Sequence, residues 1–134
     1  MTQFRATEAA ALLGVSDDTI RRWIDAGRIP AVRDPAGRWV LNGRDLAEFA
    51  RENATPPTIE ADVRNSSRNR LPGLVTKVVR DGVMAQVEIQ AGPFRLVSLM
   101  TREAADELGL EPGTLAVASV KSSNMVVETP QRPH

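Results

Sequence analysis

Two polar clusters, widely separated along the chain, carry the groups that could bind an oxyanion. The first is Ser66-Ser67-Arg68-Asn69, just ahead of an apolar run, and the second is Lys121-Ser122-Ser123-Asn124. Guanidinium, ammonium, hydroxyl and amide groups all donate hydrogen bonds, and a tetrahedral dianion offers only acceptors. Neither cluster contains a carboxylate, which would repel an anion. We therefore predict that the two clusters meet in one oxyanion site.

Paired arginines in the first half of the chain have the spacing expected on the outer face of a DNA-binding helix. The apolar residues of one predicted helix recur at i, i+3 and i+4, which leaves Arg21 and Arg22 on its opposite face. A solvated helix face is the alternative interpretation. It rests on three nearby carboxylates that would oppose phosphate binding, namely Asp17, Asp18 and Asp25.

Local signals place this helix second in a helix-turn-helix. Thr7 is a candidate N-cap for a first helix over residues 8–13, which Gly14 ends. Ser16 is a candidate cap for the second helix, and Gly27 ends it. Two short helices joined by a tight turn predict a helix-turn-helix whose second helix reads DNA.

A two-stranded hairpin is predicted next. The turn Asp34-Pro35-Ala36-Gly37 separates two short runs of strand-forming residues. Arg33 and Arg38 then lie on either side of the tip, where their guanidinium groups could contact phosphates. Asn42 or Asp45 is expected to cap a third helix.

The motifs of this half, in order, are Thr7-Glu8-Ala9-Ala10-Ala11-Leu12-Leu13-Gly14-Val15-Ser16, Thr19-Ile20-Arg21-Arg22-Trp23 and Gly37-Arg38. Over residues 3–52 they resemble the winged-helix domains of the MerR and excisionase groups. The resemblance implies binding to double-stranded DNA, with the second helix in the major groove and the wing on the backbone. The implied DNA-binding residues are Ser16, Thr19, Arg21, Arg22, Arg33 and Arg38.

Strand patterns dominate from Leu71 onward. Three strands are predicted over residues 74–79, 84–89 and 94–100, and the second of these alternates cleanly between apolar and polar residues. Thr101 is a candidate cap for a helix over residues 102–108, and two further strands are predicted over residues 115–120 and 125–128. Five short strands with one helix before the fourth predict an OB-like barrel.

The motifs of the second half are Ser66-Ser67-Arg68-Asn69, Leu71-Pro72-Gly73, Leu99-Met100-Thr101-Arg102-Glu103 and Val120-Lys121-Ser122-Ser123-Asn124. Together they resemble the molbindin (Mop/TOBE) domain over residues 65–129. The resemblance implies molybdate or tungstate bound between the subunits of a homo-oligomer, a dimer or a hexamer.

The resemblance also implies which side chains hold the anion. Ser66 and Arg68 would come from one subunit, and Thr101, Lys121 and Ser122 from another. Asn69 and Ser123 complete the set of candidate oxyanion-binding residues.

Composition excludes several classes of protein. The 134 residues include 17 basic and 17 acidic side chains, so DNA binding would depend on where the arginines lie rather than on net charge. The absence of cysteine excludes disulfides and zinc-thiolate sites. No apolar run is long enough to span a membrane, so we expect a cytoplasmic protein. We expect no enzymatic activity, because the one histidine is His134 and no nucleophile lies with a base.

We predict an α+β chain of two domains. A winged helix-turn-helix occupies residues 1–53 and a five-stranded OB-like barrel residues 65–130, with a linker over 54–64 and a tail over 131–134. The predicted function is a transcriptional regulator that binds a DNA operator and senses molybdate or tungstate. Two alternatives remain: a molybdate or tungstate storage or buffering protein with little DNA binding, and an oligonucleotide-binding barrel, against which Phe94 is the only strand aromatic.

Overall fold

The computed structural model describes residues 2–57, 59 and 69–130. The chain divides into two compact units, Met1–Pro56 and Pro57–His134. Each unit has its own cluster of buried apolar side chains. Among the residues that the structure describes, no helix is both long and apolar enough to cross a bilayer.

The N-terminal unit combines three helices with a small antiparallel sheet. Its elements in chain order are β1 (Gln3–Arg5), α1 (Ala6–Leu13), α2 (Asp17–Asp25), β2 (Val32–Arg33), β3 (Trp39–Asn42) and α3 (Gly43–Glu52). The strands pair in the order β1-β3-β2. The predicted helix-turn-helix, hairpin and third helix are confirmed, and β1 is an addition that the sequence did not predict.

Helix α1 begins earlier than predicted. Arg5, and not Thr7, is its N-cap, because the Glu8 carboxylate accepts a hydrogen bond from the Arg5 backbone N–H at 3.1 Å. The other two caps follow the prediction. Ser16 accepts from the backbone of α2, and Asn42 accepts from the backbone of α3.

The core of the N-terminal unit lies between its helices and β3. Ile20, Ile29 and Leu41 are almost fully buried there. The rings of Trp23 and Phe49 pack with their centroids 5.1 Å apart. This core fixes the outer face of α2 relative to the hairpin, which is what places the candidate DNA-binding side chains.

The C-terminal unit is a curled antiparallel sheet with one short helix. Its elements are β4 (Asn69–Arg80), β5 (Met84–Ala91), β6 (Phe94–Thr101), α4 (Arg102–Glu107), β7 (Leu115–Val120) and a 3₁₀ turn over Ser122–Asn124. The strand order is β6-β5-β4-β7. Thr101 caps α4 as predicted, and Ala105 of α4 is fully buried against the sheet.

Strand β4 is long and shared between two partners, which curls the sheet. Its first half pairs with β7, from Asn69 opposite Val120, and its second half pairs with β5 from Leu74 onward, with a bulge between Val75 and Lys77. The strand therefore starts at Asn69, inside the polar cluster, rather than after Leu71 as the sequence suggested. At Gly73 a Cβ atom would lie 2.5 Å from the Gln90 carbonyl oxygen, so only glycine fits this close approach.

The predicted fifth strand over residues 125–128 is wrong. The described part of this unit contains four strands, and the chain leaves β7 through the 3₁₀ turn instead of forming another. Val126 and Val127 are 81% and 85% exposed. A short apolar run favours a strand only where a partner edge accepts it, and within one chain this segment is left uncovered.

Candidate DNA and oxyanion sites

Three predicted DNA-binding side chains form a hydrogen-bonded ladder at the start of α2. The Ser16 hydroxyl accepts from the Thr19 backbone N–H at 3.2 Å and lies 3.0 Å from the Thr19 hydroxyl. The Arg22 guanidinium donates to that same hydroxyl at 3.2 Å. Arg22 is therefore held in one orientation on an exposed face, which lowers the entropy it would lose on contacting a base.

Arg21 takes a different direction from its neighbour Arg22. It lines a concave surface of about 380 Å³ between α2, the start of α1 and the hairpin. The arginines that line this surface, called the arginine cleft below, are Arg5, Arg21, Arg33 and Arg38. The structure thus brings three predicted DNA-binding residues together and separates them from Arg22.

Arg5 is a lining residue that the sequence analysis missed. It lies one position before α1, where the pattern gave no reason to examine a single charged residue. What identifies Arg5 is that the start of α1 lies close to the hairpin, and this proximity is visible only in the tertiary structure.

The hairpin tip is tightly hydrogen bonded. The Asp34 carboxylate accepts from the backbone N–H groups of Ala36 and Arg38, each at 2.9 Å. Gly37 adopts a positive φ of 80°, which closes the turn. The Arg38 backbone hydrogen bond is the main reason that the pKa of Asp34 lies below its ordinary value of 3.8.

Arg33 and Arg38 are oriented by this tip in different ways. The Arg33 guanidinium donates to the Gly37 carbonyl oxygen at 2.6 Å and lies 4.1 Å from the centre of the Trp39 ring. Arg38 instead lies 3.4 Å from the Asp34 carboxylate. Arg33 is thus preorganised, whereas Arg38 would have to exchange part of an ion pair for a phosphate.

The three aspartates of α2 do not neutralise its arginines. Within the described residues, neither Arg21 nor Arg22 forms an ion pair with them. Asp17 and Asp18 lie in the first turn, where a negative charge favours the helix dipole. This arrangement weakens the interpretation of the face as a solvated network of ion pairs.

The structure brings Asn69 together with the segment that contains Lys121. Asn69 lies opposite Val120 in the β4–β7 pair, and its side-chain amide donates to the Val120 carbonyl oxygen at 3.1 Å. Lys121, Ser122 and Ser123 follow at once and are exposed. Two further candidate oxyanion-binding residues, Ser66 and Arg68, lie outside the described residues.

Thr101 lies elsewhere in the unit. It pairs with Met84 near the far end of β4 from Asn69, and β4 is 12 residues long. Its hydroxyl accepts from the Ala104 backbone N–H at 3.1 Å. It shares a shallow cleft with three carboxylates, those of Glu103, Asp106 and Glu107. Within one chain the structure therefore does not place Thr101 with Lys121.

One chain therefore joins a helix-turn-helix unit with an arginine-lined surface to a curled β-sheet unit. The comparison with known families agrees with both halves. Residues 4–54 match the helix-turn-helix domain family, and residues 65–127 match the TOBE domain family.

Relatives of the chain are proteins named for molybdenum or molybdate. The molybdenum transport protein ModE of Herbaspirillum seropedicae is 35% identical over 68 residues, which are 50% of this chain and 25% of ModE, so the chain spans about a quarter of that relative. Molybdenum-pterin-binding protein 3 of Clostridium pasteurianum is 32% identical over 63 residues, 46% of this chain and 93% of that protein. A solved molybdate-binding protein from Sporomusa ovata is 31% identical, with 50% of this chain and 100% of that chain covered and a TM-score of 0.48.

The clostridial protein is matched over nearly its whole length, and this match assigns the family. The chain belongs to the TOBE-domain family of the molybdenum-pterin-binding proteins, and it carries a helix-turn-helix domain ahead of its TOBE domain.

Proposed function

We propose that this protein is a DNA-binding transcriptional regulator that senses molybdate or tungstate through its TOBE domain. The observation that carries the proposal is the presence of both domains in one chain. A DNA-binding domain has no evident use in a protein that only stores an anion. An anion-binding domain, in contrast, supplies a ligand that can regulate DNA binding. Neither matched family is an enzyme family, which agrees with a regulator.

The proposed DNA contacts divide into bases and backbone. Helix α2 enters the major groove, where the hydrogen-bonded ladder of Ser16, Thr19 and Arg22 meets base edges. Arg33 and Arg38 lie at the hairpin tip and contact phosphates. The orientation of Arg33 over Trp39 supports this role, because a fixed guanidinium fork suits bidentate binding of a phosphate.

The proposed oxyanion site is centred where β4 begins and β7 ends. Lys121, Ser122 and Ser123 supply an ammonium group, two hydroxyls and backbone N–H groups beside Asn69. Ser66 and Arg68, which precede Asn69 in the sequence, remain predicted members of the site. All these groups donate hydrogen bonds to a dianion that can only accept them.

Thr101 reaches this site only from a neighbouring subunit. Its position towards the other end of β4 supports an arrangement in which two copies each contribute part of the donor set. Its hydroxyl hydrogen remains available to an anion while its oxygen caps α4.

Exposed apolar surface on the C-terminal unit supports a homo-oligomer, a dimer or a hexamer. A largely apolar cleft of about 680 Å³ lies between β6 and β7, the two outer strands of the sheet. Leu99 and Leu115 on those strands are 69% and 58% exposed. Outer strands with apolar side chains favour pairing with another chain.

Two binding measurements on the full chain test the proposal. Duplexes enriched from a random pool should bind with sequence preference, and calorimetry should show binding of molybdate or tungstate with much weaker binding of sulfate. Sulfate has the same charge and shape but is smaller, so the comparison tests the fit of the site. If neither molybdate nor tungstate binds, the proposed sensor role is contradicted.

Storage or buffering of molybdate is the second candidate, favoured by the near end-to-end match to the small clostridial protein. The storage function would be preferred over the regulator if the oxyanions bind and no duplex is enriched. A cytoplasmic location remains a prediction under either function.

A further inference from the structure

The arginine cleft gathers positive charge from four separate elements of the N-terminal unit. Arg5 ends β1, Arg21 lies in α2, Arg33 ends β2 and Arg38 precedes β3. The remaining lining residues are Ala6, Thr7, Gly37 and Trp39, and none of them is acidic. Four arginines therefore line one concave surface that has no carboxylate in its lining, and one of them, Arg38, is paired with Asp34 beside it.

Two of the four guanidinium groups are not engaged by the fold. Within the described part of the chain, the Arg5 and Arg21 side chains make no hydrogen bond or ion pair. Arg33 is fixed by Gly37 and Trp39 and still presents its outer edge. Arg5, Arg21 and Arg33 have no ion-pair partner among the described residues, so the surface offers positive charge to an anion.

We infer that the arginine cleft binds the DNA phosphate backbone, with Arg5 as an additional contact, and that Arg21 serves the backbone while only Arg22 reads bases. This inference rests on the proposed DNA binding and changes the role that the sequence gave to Arg21. The lining supports it, because guanidinium groups and the first-turn N–H groups of α1 all donate and phosphate oxygens all accept.

A polyanion fits this surface better than a free oxyanion does. All four arginines are exposed, and an exposed ion pair with a small anion is weak and screened by salt. DNA held by α2 next to the cleft gains instead from release of its condensed counterions at each phosphate contact. The same charge that adds little for a single small ion is therefore effective against a duplex.

The test compares alanine variants on two duplexes of equal length, one enriched from a random pool by the wild-type chain and one of scrambled sequence. Arg5→Ala and Arg21→Ala should each weaken binding to both duplexes by the same factor. Each should also lower the magnitude of the slope of log K against log salt by about 0.9, the loss of one phosphate contact. Arg21→Lys should restore most of the slope, because it keeps the charge.

Arg22→Ala should behave differently from these two variants. It should lower the ratio of enriched to scrambled affinity by about tenfold or more, as loss of a base contact does. Arg51→Ala is the matched control, because Arg51 is exposed on α3 and does not line the cleft. Its slope and affinity ratio should equal those of the wild type.

Folding is not expected to obscure the comparison. Arg5→Ala keeps the backbone N–H that donates to the Glu8 carboxylate, and the Arg21 side chain makes no hydrogen bond or ion pair among the described residues. Thermal unfolding of each variant checks this.

Three results would overturn the inference. The first is an unchanged salt slope in both Arg5→Ala and Arg21→Ala. The second is a loss of sequence preference in Arg21→Ala but not in Arg22→Ala. The third is calorimetric binding of inorganic phosphate that Arg5→Ala abolishes while DNA affinity stays intact. In each case the chain still binds DNA, so the inference fails and the proposed function stands. A wild-type chain that binds neither duplex contradicts the proposed function itself, and the inference with it.

Discussion

Lys121 is the charged member of the described oxyanion-binding residues. It follows β7 directly, beside the Asn69–Val120 pair, and its side chain is exposed in the single chain. The ammonium group on its flexible stem can move to meet an anion, and the neighbouring hydroxyls and backbone N–H groups add uncharged donors. The proposed site therefore depends on Lys121 for charge and on Ser122 and Ser123 for shape.

Replacement of this lysine tests the site at the residue scale. Lys121→Ala should weaken molybdate binding by about 10- to 100-fold, because it removes a hydrogen bond to a charged group. Isothermal titration calorimetry measures the change. Lys77→Ala is the matched control, since Lys77 is exposed on β4 and distant in register from the site. Equal affinities in the two variants would exclude Lys121 from the site.

At the scale of elements, the hairpin turn and the β4–β5 contact are the places where one residue fixes the local backbone. Asp34 holds the turn through two backbone N–H groups, and Gly73 allows β5 to approach β4. The first contact positions Arg33 and Arg38. The second shapes the strand that begins at the proposed oxyanion site.

The hairpin turn should depend on pH. The folded-state pKa of Asp34 is lowered, so its stabilising contribution is present above the unfolded value of 3.8 and is lost as pH falls through the folded pKa. Asp34→Ala should lower the stability of the N-terminal unit above this range and flatten its acid dependence. Both tryptophans, Trp23 and Trp39, lie in that unit, so tryptophan fluorescence reports on it alone. An unchanged acid profile would contradict the role of Asp34.

Gly73→Ala should destabilise the C-terminal unit by about 1–3 kcal/mol, because the new methyl group would overlap backbone atoms of β5. Denaturant unfolding followed by circular dichroism measures the difference. Gly82→Ala serves as the control, since a Cβ atom there meets nothing within 4 Å. If both variants unfold at the same denaturant concentration, the close approach at Gly73 is not limiting.

Features that depend on neighbouring residues were predicted correctly from the sequence, whereas features that depend on contacts between distant residues were not. Ser16, Gly14 and Thr101 were identified as helix caps or stops, because capping depends on a few neighbouring residues. The strand over residues 125–128 was wrong, because a strand needs an edge to accept it. Arg5 was missed for the same reason, since its neighbours in the cleft come from distant parts of the sequence.

At the scale of the whole molecule, the proposal requires the anion to bind two subunit arrangements with different affinity. An anion that binds both arrangements equally would change nothing in DNA binding. In the proposed site Thr101 and Lys121 come from different copies, so an anion bound there would favour the arrangement of subunits that brings them together.

Association through the C-terminal unit should depend on its exposed apolar residues. The double substitution Val126→Ser and Val127→Ser should shift sedimentation towards the monomer, since both side chains lose the burial that a partner would provide. Leu12→Ser is the control, because Leu12 is exposed on α1 of the other unit. An oligomer unaffected by the double substitution would place the interface elsewhere.

The most direct measurement is the affinity of the full chain for its enriched duplex with and without molybdate, with sulfate as the control anion. Coupling between two sites in one protein is typically worth about 1–3 kcal/mol, so we expect molybdate to change the DNA dissociation constant by about 5- to 150-fold. Sulfate at the same concentration and ionic strength should leave it unchanged. Identical DNA affinity in saturating molybdate, in sulfate and in neither would contradict the proposal that this protein is a molybdate-sensing regulator.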